Sequence, residues 1–131
     1  MIKVLDAQAL MCYLEKEPGY EKVQELLTKS LHNQHHLWMT VINWGEVYYI
    51  IYREYGQDKA QEIAQLIETF PIKLIPIDLK LAKEAALLKA AYPISYADCF
   101  AAALAKIHKL ELVTGDPEFK NLKNMIKILW I

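Results

Sequence analysis

Arginine is nearly absent from this sequence: Arg53 is the only one, and lysine supplies the rest of the 15 basic residues. The 16 acidic residues bring the formal net charge to -1. The sequence therefore lacks the strong positive field that marks many nucleic-acid-binding proteins. Near-neutral charge does not exclude such a partner, because bound divalent cations change the local charge of an acidic site.

Cysteine and long apolar runs are also scarce. Cys12 and Cys99 are the only cysteines and stand in no metal-ligand or redox spacing, which favours reduced thiols over a disulfide scaffold. No stretch approaches the roughly 18 uninterrupted apolar residues of a membrane span. Asp6 stands where a signal peptide would have its apolar centre, so we expect a cytoplasmic protein.

Short apolar segments alternate with longer helical stretches along the 131 residues, of which 54% are hydrophobic. This alternation is typical of an α/β fold with a parallel sheet and crossover helices, and the length fits a single domain over residues 1–131. Strands are predicted at about residues 2–5, 37–40, 72–75, 110–113 and 125–129. Helices are predicted at about residues 7–16, 19–32, 41–55, 58–69, 78–91 and 95–109.

Four carboxylates, Asp6, Glu46, Asp98 and Asp116, are spaced so that each is expected at or just past the carboxyl end of a short strand. In an open parallel sheet these ends form the rim where ligands bind. Four acids at one rim repel each other unless cations neutralise them. Carboxylate oxygens are hard ligands, so the pattern predicts a magnesium or manganese site.

Each acid also has a purely structural explanation when taken alone. Asp6 can cap the helix that follows it. Asp98 ends a capping-box-like segment that begins at Ser95, and Glu46 ends another that begins at Asn43. Asp116 lies in Thr114-Gly115-Asp116-Pro117, which forms a turn on composition alone. Capping accounts for one acid at a time but not for four that converge.

Four segments together resemble the PIN-domain ribonucleases, particularly the toxins of VapBC-type toxin–antitoxin pairs. They are Val4-Leu5-Asp6, Val41-Ile42-Asn43-Trp44-Gly45-Glu46-Val47, Ser95-Tyr96-Ala97-Asp98 and Leu112-Val113-Thr114-Gly115-Asp116-Pro117-Glu118-Phe119. The resemblance covers the whole chain and implies a PIN-like three-layer α/β/α fold with a roughly five-stranded, mainly parallel sheet. It makes Asp6, Glu46, Asp98 and Asp116 the metal-binding acids. Thr114 becomes a helper that orients a carboxylate or water, and Glu118 a weaker outer candidate.

The resemblance also implies an activity and partners. The expected protein is an endoribonuclease that hydrolyses RNA phosphodiester bonds with Mg²⁺ or Mn²⁺, acts as a toxin, pairs as a homodimer and is silenced by a VapB-like antitoxin. One departure stands out, because Ala7 and Gln8 occupy positions where the family often has a hydroxyl residue. Gln8 is the candidate to replace that hydroxyl as the hydrogen-bonding group that orients Asp6; without it, the orientation of Asp6 would be poorer. A catalytically weak binding module with the same fold therefore stays open as an alternative.

Other patterns support weaker alternatives. A phosphoacceptor receiver domain has similar size and rim acids, but it carries an acidic pair after its first strand, where Asp6 stands alone. The segment containing His32, His35 and His36 suggests zinc less well than a polar loop, because no matching ligands occur elsewhere. The tyrosines of residues 48–55 fit core or interface packing better than stacking on RNA bases. Cys99 has no paired histidine and is interpreted as a packed hydrophobe.

Overall fold

The computed structural model describes all 131 residues and contains five strands in one parallel sheet. The strands are β1 (Lys3–Leu5), β2 (Leu37–Thr40), β3 (Ile72–Ile75), β4 (Glu111–Thr114) and β5 (Ile128–Trp130). Their order across the sheet is β3-β2-β1-β4-β5, and every neighbouring pair is parallel. The predicted α/β fold with a parallel sheet is confirmed.

Six α-helices and one 3-10 helix connect the strands. They are α1 (Ala7–Leu14), α2 (Tyr20–Asn33), α3 (Val41–Tyr55), α4 (Gln57–Glu68), α5 (Leu79–Ala91), α6 (Tyr96–His108) and the 3-10 helix Pro117–Leu122. The predicted α-helix boundaries agree to within two residues. Capping explains much of this agreement, because the side chains of Asp6, Thr40, Asp78 and Ser95 each accept a hydrogen bond from an N–H of the first turn.

Alternate residues of each strand feed two separate cores, one on each face of the sheet. Val4 and Leu112 pack with α5, α6 and the 3-10 helix, whereas Leu5 and Val113 pack with the helices α1 to α4. All four side chains are fully buried. The period of two along a strand therefore produces the predicted three layers, with helices on both faces.

The strand order creates a switch point between β1 and β4. The chain first builds outward on one side, from β1 to β2 and β3, and then crosses to place β4 against the other side of β1. Ligands bind open α/β sheets in the crevice beyond the carboxyl ends of strands at such a point. This order also argues against the receiver alternative, because receiver domains have the order 2-1-3-4-5.

The predictions for the last two strands need correction. β4 begins and ends one residue later than predicted, so Thr114 is its last residue. The fifth strand was predicted from residue 125 but begins at Ile128. The prediction included Ile126 in the strand because it is apolar. Its side chain is instead buried in the core beneath the turn that follows the 3-10 helix.

None of the helices combines the length and the apolar character that crossing a lipid bilayer requires.

Candidate metal centre

Asp6 lies at the switch point, directly after β1. It is fully buried and caps α1, since its Oδ1 accepts the N–H of Ala9 at 2.8 Å. Its other oxygen, Oδ2, accepts a hydrogen bond from the Thr114 hydroxyl. Burial raises the pKa of Asp6 to about 7, even though these two hydrogen bonds lower it; the charges of Asp116 and Glu46 raise it further.

The end of β4 carries Asp116 to the same place. The hydroxyl oxygen of buried Thr114 accepts the N–H of Asp116 at 2.9 Å while the hydroxyl donates to Asp6. Asp116 in turn begins the 3-10 helix, because its Oδ1 accepts the N–H of Glu118 at 2.9 Å. Thr114 thus connects the acids that follow β1 and β4.

Asp98 comes to the cluster from a helix and not from a strand. The expectation that Asp98 follows a strand is wrong, whereas the predicted helix over residues 95–109 does contain it: Asp98 lies in the first turn of α6, which follows α5. Its N–H donates to the Ser95 hydroxyl at 3.3 Å, and its side chain is only 9% exposed. Burial raises the pKa of Asp98 to about 7, and the charges of Asp6, Asp116 and Glu46 add to that effect against the Ser95 hydrogen bond.

Glu46 projects from α3 and is held by Asn43, an orienting role that the sequence did not predict. The capping-box interpretation of this segment is wrong, because α3 begins at Val41 and Thr40 is its cap. The amide Nδ2 of Asn43 donates to Glu46 Oε1 at 3.1 Å and to the Ala97 carbonyl oxygen at 3.2 Å. The Thr40 hydroxyl fixes this fully buried amide by donating to its Oδ1 at 2.6 Å. Burial raises the pKa of Glu46, as does the charge of Asp116, while the Asn43 hydrogen bond lowers it.

Carboxylate oxygens of Asp98, Asp116 and Glu118 lie within 4.8 Å of one another. Glu118, predicted only as an outer candidate, therefore belongs to this tightest group. Asp6 and Glu46 are not part of this group, but the charges of both act on Asp98, and the charge of Glu46 also acts on Asp6. The structure thus places the four predicted acids near one another and puts Glu118 beside two of them.

No basic side chain neutralises this cluster. The ion pairs of the structure are Lys3–Glu111, Lys29–Glu25, Lys59–Glu62 and Lys106–Glu84, and none includes a cluster acid. The nearby polar partners, Thr114, Asn43 and Ser95, are neutral. A set of oxygen donors with unbalanced negative charge fits a hard divalent cation such as Mg²⁺ or Mn²⁺.

Gln8 does not take over the orientation of Asp6. Its Oε1 accepts the N–H of Gly115 at 2.6 Å, so its hydrogen bond goes to the loop after β4. Ala9 and Thr114 already hold both oxygens of Asp6. Asp6 therefore has orienting partners even though neither Ala7 nor Gln8 carries a hydroxyl group.

The histidine alternative gains no support from the structure. Asp98, Asp116 and Glu118 are the one group of potential metal ligands that converges, and no histidine joins it. His35 instead contacts the N-terminal amine through Nδ1 at 3.2 Å.

The aromatic residues of α3 contact one another. Trp44 stacks on Tyr48 with ring centroids 5.3 Å apart, which fits the interpretation of these aromatics as packing residues.

Comparison with known proteins adds a family match to this geometry. A family model described as the PIN domain matches residues 3–125. No curated protein sequence matches the chain at a significant level.

Several solved structures share the fold. VapBC2 from Rickettsia felis bound to a DNA fragment from its promoter superimposes with a TM-score of 0.77 at 19% identity, covering 100% of this chain and 99% of that chain. DNA-bound VapBC from Salmonella typhimurium gives a TM-score of 0.79 at 17% identity, with 98% of both chains covered. VapC20 from Mycobacterium tuberculosis, a Sarcin-Ricin loop cleaving toxin, gives 0.68 at 13% identity, covering 92% of this chain and 94% of that chain.

Proposed function

The chain belongs to the PIN domain family, and from that membership and the acid cluster we propose that it is a metal-dependent endoribonuclease. Its substrate is an RNA phosphodiester bond, and its role is that of the toxin in a toxin–antitoxin pair. Similarity to the fold of VapBC proteins, one of them a toxin that cleaves the Sarcin-Ricin loop, supports the substrate class and the role.

One observation carries the proposal: three carboxylates within 4.8 Å, with two more acids beside them and no basic partner. Like charges this close repel each other unless a cation lies between them. Helix capping does not explain why these acids lie together, because each cap requires only one acceptor and gains nothing from a second carboxylate nearby. A bound divalent cation would offset this repulsion, and it would explain why the carboxylates are grouped.

Asp98, Asp116 and Glu118 would hold the ion, and Asp6 and Glu46 would complete the site directly or through water. Bound there, Mg²⁺ or Mn²⁺ supplies the positive charge that a phosphodiester requires and lowers the pKa of a water molecule. The neutral partners fix the acids beforehand: Thr114 holds Asp6 and Asn43 holds Glu46. Such neighbours of a metal ligand orient it without adding charge of their own.

The attacking group in this proposal is water and not a protein side chain. Cys99, next to Asp98, is fully buried, and burial raises the pKa of its thiol, so it is a poor nucleophile. Its Sγ faces the Ile94 carbonyl oxygen within the core. Hydrolysis through activated water therefore fits the residues that surround the acids.

We also propose that the protein pairs as a homodimer and is silenced by a VapB-like antitoxin. Tyr49, Tyr52 and Tyr55 of α3 are each about half exposed, which leaves aromatic surface for a partner to cover. Light scattering at micromolar concentration should give twice the chain mass of 15.2 kDa. A monomer would contradict the dimer, and copurification with an antitoxin would test the second partner.

The test of the activity is RNA cleavage by purified, antitoxin-free protein. Total RNA is incubated with Mg²⁺ or Mn²⁺, with EDTA, and with the variants Asp98→Asn and Asp58→Asn. Asp58 is the matched control, because it is an acid in the first turn of α4 and is exposed. Discrete cuts that require metal and Asp98 but not Asp58 support the nuclease; equal patterns in all arms favour the weak binding module.

A further inference from the structure

Gln8 makes a contact that the four acids do not explain. It is the second residue of α1, is half-buried, and accepts the Gly115 N–H at 2.6 Å. The contact joins the segment after β1 to the loop after β4, and so it spans the switch point. Asp6 and Asp116 lie on the two sides of this bridge, two residues and one residue away from its ends.

We propose that Gln8 is a positioning residue for Asp116: by holding the Gly115 amide, it fixes the loop that presents the Asp116 carboxylate to Asp98 and Glu118. This inference rests on the proposed function, because it assigns Gln8 a part in forming the cation site. Gln8 itself is not a ligand in this account, since its Oε1 is engaged by the backbone.

The other hydrogen bonds of this loop stay within β4, the loop and the 3-10 helix, where Asp116 accepts the N–H of Glu118 through Oδ1 and the N–H of Phe119 through its carbonyl oxygen. The N–H groups of Gly115 and Asp116 are successive donors, the first to Gln8 and the second to the Thr114 hydroxyl. Thr114 belongs to the loop's own strand, so its bond fixes the local turn. Gln8 supplies the hydrogen bond that ties the Gly115 amide to α1. Loss of the Gln8 hydrogen bond should leave the turn in place but let the loop move relative to Asp98.

Gly115 has no side chain, and this lets the end of the Gln8 side chain approach its backbone closely. A Cβ at this position would lie 3.0 Å from both Nε2 and Oε1 of Gln8 and 3.3 Å from its Cδ. The backbone of Gly115 does not lie in the left-handed region, which only Gly19 and Gly56 occupy among the glycines. A side chain here would make the end of Gln8 shift by a few tenths of an ångström, so glycine favours the close approach of Gln8 and is not explained by an unusual backbone angle.

The pair makes a direct test possible. Gln8→Ala, Gly115→Ala and the double variant are compared by Mn²⁺ calorimetry and by amide hydrogen exchange followed by NMR. Gln57→Ala is the matched control, because Gln57 is an exposed glutamine in the first turn of α4. Gly45→Ala controls for the added methyl group, since a Cβ there meets nothing within 4 Å.

Gln8→Ala should weaken Mn²⁺ affinity about 10-fold, the lower end for a residue that orients metal ligands. It should also speed exchange of the Gly115 amide about 10-fold while leaving the Ala9 amide, bonded to Asp6, unchanged. Gly115→Ala should weaken Mn²⁺ binding by displacing Gln8. In the Gln8→Ala background that methyl group should cost nothing more, so the two effects are not additive.

Two results would overturn the positioning role. Additive effects of the two substitutions, or a Gln8→Ala protein that binds Mn²⁺ as tightly as the parent, would show that the contact does not govern the site. If the parent protein binds no Mn²⁺, the proposed function fails. The exchange of the amide at position 115, compared among the parent, the two single variants and the double variant, then still decides whether Gln8 fixes this loop.

Discussion

At the carboxyl ends of the strands the sheet gathers acids, and at the amino ends it gathers lysines. A cavity of about 540 Å³ at the amino ends is lined by Lys3, Lys106, Lys109 and Lys127 among others. Two of these lysines are paired, Lys3 with Glu111 and Lys106 with Glu84. The acids at the other end have no basic partner and include the fully buried Asp6.

The difference between the two ends shows what separates a surface charge from a built site. The paired lysine side chains are partly exposed, so water and nearby carboxylates balance their charge at little cost. Asp6 and Asp98 are desolvated, which raises the pKa of each to about 7, even though the neutral groups that orient them lower it. A net charge of -1 conceals this division completely.

The largest expected effect comes from removing one negative charge at the acidic end of the sheet. Asp116→Asn keeps the side-chain shape but removes a charge from the tightest group of carboxylates. We expect RNA cleavage to fall at least about 100-fold, the upper end of what even indirect partners of a metal contribute. Glu111→Gln at the amino end should stay within about twofold of the parent. Equal losses in initial cleavage rates would contradict the division between the two ends.

The next largest effect removes an orienting group and no charge. Thr114→Val abolishes the hydrogen bond to Asp6 and the acceptor for the Asp116 N–H. Mn²⁺ affinity should fall about 10–100-fold, and stability by about 1–3 kcal/mol, because buried polar groups lose their partner. Thr114→Ser restores the hydroxyl and should recover most of both in calorimetry and urea unfolding. Failure of serine to recover Mn²⁺ affinity would contradict the orienting role.

The pH dependence of stability sharpens the contrast without any substitution. The pKa of Asp6 is about 7 in the folded protein against an ordinary value of 3.8, so between these values the folded state binds more protons than the unfolded state. Stability in EDTA should therefore decrease as pH rises from about 4 through about 7. Raised pKa values of Asp98 and Glu46 act in the same direction.

Urea unfolding at pH 5 and pH 8 in EDTA measures this slope. Asp6→Asn should reduce it, and Mn²⁺ should restore stability more at pH 8 than at pH 5, because the ion replaces the protons. A metal-free protein that is more stable at pH 8 would contradict the raised pKa values.

The smallest effect concerns the lysine end. Lys3→Met removes the pair with Glu111, whose side chains are 21% and 30% exposed. We expect a loss of less than about 1 kcal/mol in the free energy of unfolding and no change in RNA cleavage. A loss of cleavage at this distance from the acids would show that the two ends are coupled.

Local patterns made most of the fold predictable. Capping residues and apolar periodicity located all six α-helices, and short apolar runs located the strands. The strand order was not accessible in this way, because pairing depends on contacts between distant segments. The same limit explains the fifth strand, where Ile126 reads as part of a strand but is buried under a turn.

The site was predictable where chemistry depends on residue type. Asp6, Glu46, Asp98 and Asp116 were predicted to lie together, and the structure places them close enough for their charges to act on Asp98. Their part in binding a metal stays a prediction. Asn43 and the Gln8–Gly115 contact were not identified, because amide side chains carry no signal until their partners are known. Asn43 lies three residues before Glu46 on one helix, and that spacing is the one clue the sequence offered.

Mn²⁺ titration of the purified protein by calorimetry tests the central claim most directly, since it measures the cation site apart from any substrate. The parent and Asp58→Asn should bind Mn²⁺ equally, and Asp98→Asn should bind it at least about 100-fold more weakly. Equal binding by all three, or no binding by the parent at millimolar Mn²⁺, would contradict the assignment of the acidic end as a metal centre.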